Sequence, residues 1–494
     1  MEKLPNDVSN LIARMRLIGT DNQVCEVKES VRQLPDSLLE TISAFSNRNG
    51  GTIILGLSEK NGFKLAEGFE AQRIYSSMLN IGDQLTPISR FDVEIFPFEN
   101  GKIVVAQIPP IPLKERPCYI TKKGPYFGSF VRTGDGDRRL TQYEVDRLKE
   151  ERQQPKYDLE VVPEASLSDL NEDVLQAIVA RQKTSTRYFG QLPPEDILIK
   201  LGALSKMNGK LCPTLAGLLV AGYYPQQFFP RLNVTFTVYP GVSKAQTQGQ
   251  SYRYLDSKSI DGSIPEMLLE AVAMLKKNMR TGALVEGALR EEVCDYPILA
   301  FREALVNALQ HRDYSPEGRA SQVQVNMFAD RLEIINPGGL YGASSIDSMS
   351  PGISATRNVN LSRLLENTPS QDEVGNAKFV IENRGTGLLQ IKDSLNQALM
   401  PPARIIDHIS AFSITFDKRK LTDDEKSTTR WENIKLALIQ ELGNRGSLSI
   451  SEIAQMSGLT RRTISTYLNS LVKEGIAERT EPARSPKQRY RLKV

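Results

Sequence analysis

The sequence predicts a mixed α+β fold divided among several domains. The chain has 494 residues, and because a domain usually holds about 100–200 residues, three or four units are expected. Residues 1–150 alternate helix-type and strand-type apolar patterns, whereas residues 450–492 form a pattern of two short helices followed by two short strands. Residues 417–430, rich in Lys, Asp, Thr and Ser, are the clearest linker between domains.

Charge is unevenly distributed along the chain. The totals are 62 basic and 59 acidic residues, a formal net charge of +3. Residues 461–494 hold nine Lys or Arg against three Glu, a net charge of +6, so residues 1–460 sum to −3. A basic tail on a mildly acidic body predicts that the C-terminus contacts nucleic acid.

Several classes of protein are disfavoured by composition. The four cysteines, at positions 25, 118, 212 and 294, never form C-x-x-C, which argues against a zinc site or a disulfide framework. Two histidines supply little for metal or triad chemistry. The first residues lack the apolar core of a signal peptide, and no apolar stretch reaches about 18 residues. We therefore expect a cytoplasmic protein.

The N-terminal part begins with an amphipathic helix over residues 36–47, where Leu38, Leu39, Ile42 and Phe45 fall at helical spacing. It ends in a glycine pair, a common helix stop. The elements predicted after it are strands over residues 52–57 and 102–108 and a charged helix over residues 144–151.

Residues 19–150 carry four motifs that resemble the Schlafen/AlbA-type domain, long described as a nucleic-acid-binding domain. They are Glu26-Val27-Lys28-Glu29-Ser30, Ser43-Ala44-Phe45-Ser46-Asn47, Gly50-Gly51-Thr52-Ile53-Ile54-Leu55-Gly56 and Phe130-Val131-Arg132-Thr133-Gly134. Some members of that family cut RNA with three carboxylates. The resemblance places these on Asp21, Glu26 and Glu59, which would bind Mg²⁺ or Mn²⁺.

Two interpretations of this domain stay open. The first is a metal-dependent nuclease acting on RNA or single-stranded DNA. It requires a bend near Val24, because residues 21 and 26 lie on opposite faces of a straight strand. In the second, the acids are ordinary surface groups beside a DNA- or partner-binding face. Phosphates would be held in either case by Lys28, Arg48 and Arg132.

Farther along the chain, Glu303, Asn307 and His311 recur every four residues, so a helix would stack them along one face. Asn is a poor helix former, which favours a chemical task for its amide. A glycine pair, Gly385-Thr386-Gly387, begins a second amphipathic helix, and a helix N-terminus of this kind suits phosphate.

This combination resembles the nucleotide site of the GHKL group, and residues 211–416 resemble its divergent RecG-like branch, found in bacterial proteins described as ATP-binding transcriptional regulators. The other matching motifs are Pro213-Thr214-Leu215-Ala216-Gly217-Leu218-Leu219, His311-Arg312-Asp313-Tyr314 and Glu333-Ile334-Ile335-Asn336-Pro337-Gly338-Gly339. The resemblance implies a GHKL-like α/β sandwich that binds ATP or ADP with Mg²⁺. Glu303 would activate water, and Asn307 would hold the metal.

The sequence departs from the GHKL pattern at the residue that contacts the nucleotide base. The GHKL group has an Asp that contacts adenine, and the matching residue here is Asn336, followed by Gly338 and Gly339. An Asn amide can still hydrogen-bond a base. The alternative is a fold that keeps the helix for packing and binds no nucleotide. A P-loop helicase is excluded, because no G-x-x-x-x-G-K-[ST] motif occurs.

The C-terminal residues resemble the winged helix-turn-helix of bacterial regulators. Thr460 would cap a second helix whose Ile464, Leu468 and Leu471 form a buried stripe. A basic wing loop follows it, and an interface for protein is the alternative use. The residues expected to contact duplex DNA are Arg461, Arg462, Ser465, Thr466, Asn469, Arg484 and Lys487.

These observations predict five segments. They are residues 1–155 (Schlafen/AlbA-like), 156–290 (a connecting region), 291–417 (GHKL-like), 418–430 (linker) and 431–494 (winged helix). The favoured function is a DNA-binding regulator controlled by a nucleotide, with a metal-dependent nuclease and an ATPase scaffold as alternatives. Because one recognition helix reads one half-site, we also expect a homo-oligomer, at least a dimer.

Overall fold

A computed structural model describes most of the chain. The described residues are 6–18, 24–133, 136–245, 253–286, 289–341, 355–370, 379–382, 385–398, 400–419, 435, 438–439, 442, 446–457, 461–481, 485 and 488–493. Residues 6–7, 17–18, 281–286, 289–293, 455–457 and 462–463 are described without their side chains. The chain is a mixed α+β protein of several domains, which confirms the predicted fold class. No helix among the described residues has the length and apolar character needed to span a membrane.

The N-terminal domain is built on a four-stranded sheet. Its strands, in spatial order, are Cys25–Lys28, Gly51–Leu55, Gly101–Ile108 and Asp92–Phe98, and the first pair is parallel while the others are antiparallel. Ile53 packs on the side of helix Leu38–Ser46, whereas Ile54 packs on the side of helix Asn6–Ile18. Successive strand residues point to opposite faces, so the sheet is apolar on both sides. The predicted helix and both strands are confirmed to within two residues.

Short elements complete this domain. The strand pairs are Leu57–Ser58 with Lys64–Leu65, Leu85–Thr86 with Tyr119–Ile120, and Phe130–Thr133 with Gly136–Arg139. The further helices are Ala71–Met78, Gly124–Gly128 and Gln142–Glu150. Thr141 and Glu144 form a capping box at the start of Gln142–Glu150, which fixes where this charged helix begins.

The middle of the chain folds around a six-stranded sheet. Its strands, in spatial order, are Asp256–Ile260, Val234–Val238, Val323–Met327, Arg331–Pro337, Ala411–Asp417 and Arg404–Asp407. Helices Ile264–Asn278 and Ile298–Gln310 cover one face, and Gly387–Gln397 packs on the second of them. A single apolar core runs from residue 162 to residue 416, so residues 156–290 and 291–417 share both this sheet and this core.

Smaller elements flank this sandwich. The helices are Glu172–Ser185, Pro194–Leu201, Leu215–Ala221 and Val359–Leu365. Two hairpins join Leu204–Met207 to Lys210–Pro213 and Thr281–Glu286 to Leu289–Cys294.

The C-terminal domain contains helices Ile450–Ser457 and Arg461–Lys473 and a hairpin of Ala477–Arg479 with Tyr490–Leu492. Ile464, Leu468 and Leu471 are completely buried, which confirms the predicted apolar stripe. The predicted cap Thr460 and most of the predicted linker lie outside the described residues.

Candidate nucleotide and nucleic-acid sites

The helix Ile298–Gln310, which we call the site helix, positions the candidate nucleotide site. Glu303 and Asn307 lie one turn apart, and Asn307 Nδ2 donates a hydrogen bond to Glu303 Oε1 at 3.3 Å. The helix ends at Gln310, so His311 lies at its C-terminal cap and donates its backbone N–H to the Asn307 carbonyl. The opposite face is held in the core by Leu305, Val306, Ala308 and Leu309.

The predicted glycine loop meets this helix. Gly387 begins the helix Gly387–Gln397. A Cβ at residue 387 would lie 2.6 Å from Glu303 Oε1 and 2.7 Å from Asn307 Nδ2, closer than real Cβ atoms approach. Gly385 has a φ of +66°, which favours glycine. The structure therefore brings together Glu303, Asn307 and the glycine loop, which are distant in sequence.

The environment of Glu303 alters its acidity. Burial raises the pKa of this carboxyl above its ordinary value, Glu382 adds to the rise, and Arg302 and the Asn307 amide partly oppose it. The Arg302 guanidinium is itself engaged, since its Nη2 donates to the Val380 carbonyl at 3.2 Å and to Ser370 Oγ at 3.3 Å. A carboxylate whose pKa moves toward neutrality is suited to accept a proton from water.

Asn336 lies on the strand Arg331–Pro337, on the face that also carries the buried Leu332 and Ile334. This residue is 3% exposed, and its Oδ1 has no hydrogen-bond partner among the described residues. Buried polar atoms are nearly always paired. An unpaired carbonyl oxygen at this position fits the amino group of a purine, which donates hydrogen bonds.

Close packing against neighbouring atoms explains why residues 338 and 339 are glycines. A Cβ at residue 338, where φ is +95°, would lie 2.5 Å from Arg357 Nη1, and one at residue 339 would lie 2.1 Å from the His408 carbonyl oxygen.

Burial, together with Arg357, lowers the pKa of His311 to about 4. The imidazole is therefore neutral at physiological pH and offers a hydrogen bond rather than a charge.

The N-terminal carboxylates are arranged differently. Glu26 is 3% exposed, with Oε2 2.5 Å from Arg132 Nη1 and Oε1 2.5 Å from Lys28 Nζ. Glu59 is exposed in the turn after strand Leu57–Ser58, and Asp21 lies outside the described residues. The described residues contain no group of three or more His, Cys, Asp or Glu side chains arranged to hold a metal. The three-carboxylate site stays a prediction.

The basic residues expected to bind phosphate are ion-paired. Arg132, 3% exposed, contacts Asp137 at 3.3 Å as well as Glu26. Arg48 contacts the Asp407 carboxylate at 3.5 Å and donates to its backbone carbonyl. Together with Lys28, which contacts Glu26, all three are engaged by carboxylates within the chain. Phosphate binding would have to compete with these contacts.

In the C-terminal domain, Arg461 and Thr466 of the helix Arg461–Lys473, which we call the recognition helix, are exposed, and Ser465 and Asn469 are half-buried. Asn469 Nδ2 donates to Ser465 Oγ at 3.4 Å. Arg461 lies at the N-terminal end, where such helices enter a major groove. The side chain of Arg462 and the wing residues Arg484 and Lys487 lie outside the described residues.

Family models match most of the chain in separate segments. Residues 21–141 match "Schlafen, AlbA_2" and residues 320–416 match "Putative ATP-dependent DNA helicase recG C-terminal". Residues 432–478 match "Winged helix-turn-helix DNA-binding", and residues 146–235 match a domain of unknown function. The three expected domain types are confirmed, and the boundaries of the five predicted segments stay predictions. Below, the Schlafen-type domain denotes residues 1–155, the recG-C-terminal-type domain residues 291–417 and the winged helix residues 431–494. The first two ranges extend beyond the matched segments, and the site helix precedes the segment that matches the recG model.

Two solved structures share low identity with the chain. A crystal structure of a Corynebacterium diphtheriae protein covers 99% of this chain and 100% of that chain at 16% identity, with a TM-score of 0.39. The solution structure of the N-terminal domain of a "Putative ATP-dependent DNA Helicase RecG-related Protein" from Nitrosomonas europaea covers 28% of this chain and 95% of that chain at 18% identity, with a TM-score of 0.22. A search of curated proteins gave no match.

A buried junction joins the Schlafen-type domain to the recG-C-terminal-type domain. Asp313, two residues after His311, accepts a hydrogen bond from Arg147 Nη1 at 2.9 Å and one from the Tyr143 hydroxyl at 2.5 Å. Arg357 Nη2 contacts Glu151 Oε1 at 2.6 Å. Burial alone would raise the pKa of Asp313, but Arg357 and Arg147 outweigh it and hold the pKa below its ordinary value. Breaking such a buried pair costs about 3–5 kcal/mol.

Two structural features near the candidate sites were not predicted from the sequence. The first is this junction, because Arg147 and Asp313 are 166 positions apart and two charged residues at that separation form no recognisable sequence pattern. The second is Arg479, whose Nη2 donates to Asn469 Oδ1 at 2.6 Å. A basic residue on the first strand of the wing, next to the recognition helix, could have been identified from the sequence. Arg479 therefore belongs with the residues that shape the surface of the winged helix.

Proposed function

We propose that the chain is a DNA-binding transcriptional regulator in which the recG-C-terminal-type domain binds ATP or ADP with Mg²⁺. The observation that carries this proposal is the close contact of Gly387 with Glu303 and Asn307. A helix N-terminus that begins with glycines beside an amide and a half-buried carboxylate is an arrangement suited to phosphates and a metal.

The residues present fit such a ligand. Asn307 would hold the metal through its amide oxygen, the loop 385–387 would receive the phosphates, and the unpaired Oδ1 of Asn336 would accept from the base. Bound Mg²⁺ would neutralise phosphate charge. Glu303 would act on a water proton if the nucleotide is hydrolysed, and its raised pKa supports that role. His311, neutral and next to the junction, would couple occupancy to the Schlafen-type domain.

Isothermal titration calorimetry with ATP and ADP tests nucleotide binding. Asn307→Ala is expected to abolish binding, while Glu303→Gln is expected to keep binding and slow any turnover. Gly387→Ala is expected to weaken binding, because its methyl group must displace Glu303 and Asn307. Gly136→Ala is the matched control, since a Cβ there meets nothing within 4 Å. A wild-type protein without affinity for either nucleotide would refute the proposal.

The winged helix is proposed to bind duplex DNA through Arg461, Arg462 and the wing. Replacing Arg484 and Lys487 should flatten the slope of log affinity against log salt by about 0.9 for each phosphate that is no longer neutralised. Arg461→Ala should cost about 1–3 kcal/mol on the preferred site alone if it reads a guanine. Lys473→Ala removes the same charge at the far end of the recognition helix and is the control. Unchanged affinity after truncation at Lys426 would contradict this assignment.

We further propose that the chain assembles as a homo-oligomer, a dimer at least, through residues before 417. Two recognition helices would then read two half-sites about one helical turn apart, and the linker over residues 418–430 would adjust their spacing. Light scattering at micromolar concentration, with and without nucleotide, is expected to report more than one chain. A monomer under both conditions would exclude this arrangement.

A further inference from the structure

One buried asparagine in the proposed nucleotide site differs from the other buried asparagines that the structure describes. In each of the others, the amide nitrogen Nδ2 donates a hydrogen bond to an oxygen of the protein. These are Asn47, Asn233, Asn326, Asn358 and Asn367. In Asn336, which is 3% exposed, Oδ1 has no partner and Nδ2 donates to no described residue. Within the described part of the chain, no side chain or backbone group therefore holds this amide.

The missing partners leave the orientation of the Asn336 amide open. The terminal χ2 torsion of asparagine is broad and roughly two-fold, so hydrogen bonds normally decide which side carries the oxygen and which the nitrogen. A buried amide without a partner is unfavourable, which points to a ligand that supplies both a donor and an acceptor. Such a ligand can meet the amide in either of two orientations.

Asn336 lies near the C-terminal end of the site helix. Its strand, Arg331–Pro337, packs on that helix, and just after the helix ends the Asp313 N–H donates to the Pro337 carbonyl at 2.9 Å. Asn307, about one turn before the end of the same helix, lies against Gly387 of the glycine loop. A nucleotide with its phosphates at this loop would therefore direct its base along the helix toward Asn336.

An aromatic ring adjoins Asn336 on the neighbouring strand. Phe412 is its directly opposite partner in the antiparallel pair, and opposite residues in such a pair place their side chains on the same face. The Phe412 ring is half-buried and packs against the core. Because every base has a π-face, an aromatic ring stacks on adenine and guanine alike. Phe412 would thus contribute affinity without selecting a base, and selection would rest on Asn336.

We propose that this site binds guanine nucleotides as well as adenine nucleotides, an inference that rests on the proposed function. An asparagine amide offers both a donor and an acceptor. Toward adenine, Oδ1 accepts from the 6-amino group and Nδ2 donates to ring N1. Toward guanine, the amide is turned over about χ2, so that Oδ1 accepts from N1–H and Nδ2 donates to O6.

A carboxylate in the same place would read the bases differently. It is an acceptor only, so it accepts from the 6-amino group of adenine but offers no donor to guanine O6. An asparagine held by the protein would also select one purine, because its oxygen and nitrogen could not exchange places. Because no described residue holds the Asn336 amide, it excludes neither base.

Isothermal titration calorimetry of the full chain with Mg²⁺ tests this inference on the wild type, with ADP, GDP and IDP as the probes. The affinities for ADP and GDP are expected to agree within about fivefold, the lower limit of the discrimination by one bidentate base contact. IDP carries O6 and N1–H but has no 2-amino group. It should therefore bind as GDP does.

Two variants and a control separate the amide from the ring. Asn336→Asp should weaken GDP binding relative to ADP binding by about 5- to 150-fold, the range for one bidentate base contact. Phe412→Leu should weaken both by the same factor and leave their ratio unchanged. Asn208→Asp makes the same change of charge in an exposed turn, and as the matched control it should leave both affinities unchanged.

Binding of ADP without GDP to the wild type would overturn this inference and leave the proposed nucleotide site intact, whereas affinity for neither would overturn both. IDP binding more than about fivefold weaker than GDP binding would show that the 2-amino group, not the Asn336 amide, recognises guanine. An unchanged ratio of GDP to ADP affinity in Asn336→Asp would contradict the role of Asn336. The wild-type comparison needs no variant, so it decides the matter even if Asn336→Asp does not fold.

Discussion

Glu26 and Glu303 are both largely removed from solvent, yet their surroundings are opposite. Glu26 lies within 2.5 Å of the cationic nitrogens of Lys28 and Arg132. The side-chain hydrogen bond of Glu303 is to the neutral amide of Asn307, and its other close neighbour is the backbone of Gly387. Glu26 therefore belongs to a network of ion pairs. Glu303 lies beside an amide and a glycine, and burial raises its pKa.

These different surroundings suit Glu26 and Glu303 to different roles. Paired charges in the interior are fixed in place, because separating them leaves an uncompensated ion. A carboxyl that makes no ion pair among the described residues can change its protonation state at smaller cost. The Glu303 site therefore suits proton chemistry, whereas Glu26 has the surroundings of a structural ion pair in the Schlafen-type domain.

Replacing each of the two glutamates by Gln should have very different effects on the free energy of unfolding. Glu26→Gln should lower the free energy of unfolding by about 3–5 kcal/mol, because Arg132, 3% exposed, loses its closest anion. Asp137, 3.3 Å from the same guanidinium, should keep the loss near the lower end. Glu303→Gln should change it by less than about 1 kcal/mol, because a neutral amide replaces a carboxyl that burial already disfavours as an anion. Urea unfolding of both variants measures the difference.

The nuclease hypothesis for the Schlafen-type domain predicts instead that Glu26 binds a metal ion. If Asp21, Glu26 and Glu59 bind metal, Mn²⁺ or Mg²⁺ should stabilise the wild type by mass action. The protein should then cleave RNA or single-stranded DNA, and Glu26→Gln should not. Metal-dependent cleavage that is abolished in this variant would mean that Glu26 leaves its ion pairs during function, and the contrast with Glu303 would fail.

The two regions also differ in how far the sequence predicted them. The spacing of Glu303 and Asn307 and the glycines at 385 and 387 are local patterns, and helix periodicity and backbone freedom identify both. Their contact across about 80 residues came from the family resemblance. The partners of Glu26 were not predicted, because Arg132 is 106 positions away and charged side chains leave no periodic signal. Lys28, Arg48 and Arg132 were expected to bind phosphate, yet the fold provides each with a carboxylate.

A smaller effect concerns the pH dependence of the stability of Glu303→Gln and the wild type. The folded-state pKa of Glu303 is raised, chiefly by burial. Its contribution to stability is therefore fully present below the ordinary glutamate pKa and is lost as the pH rises through the folded-state value. The wild type should lose stability relative to Glu303→Gln over that interval, by about 1.4 kcal/mol for each pH unit between the two values.

Urea unfolding of both proteins from pH 4 to pH 8 measures this, and the difference between them cancels other groups with raised pKa values, such as Asp158 and Asp407. If the wild type hydrolyses ATP, its rate should rise with pH over the same interval, because a general base must be deprotonated to accept a proton. Parallel stability curves for the two proteins would show that Glu303 titrates as an ordinary carboxyl. The raised pKa would then no longer support its assignment as the base, and only the geometry of Asn307 and Gly387 would.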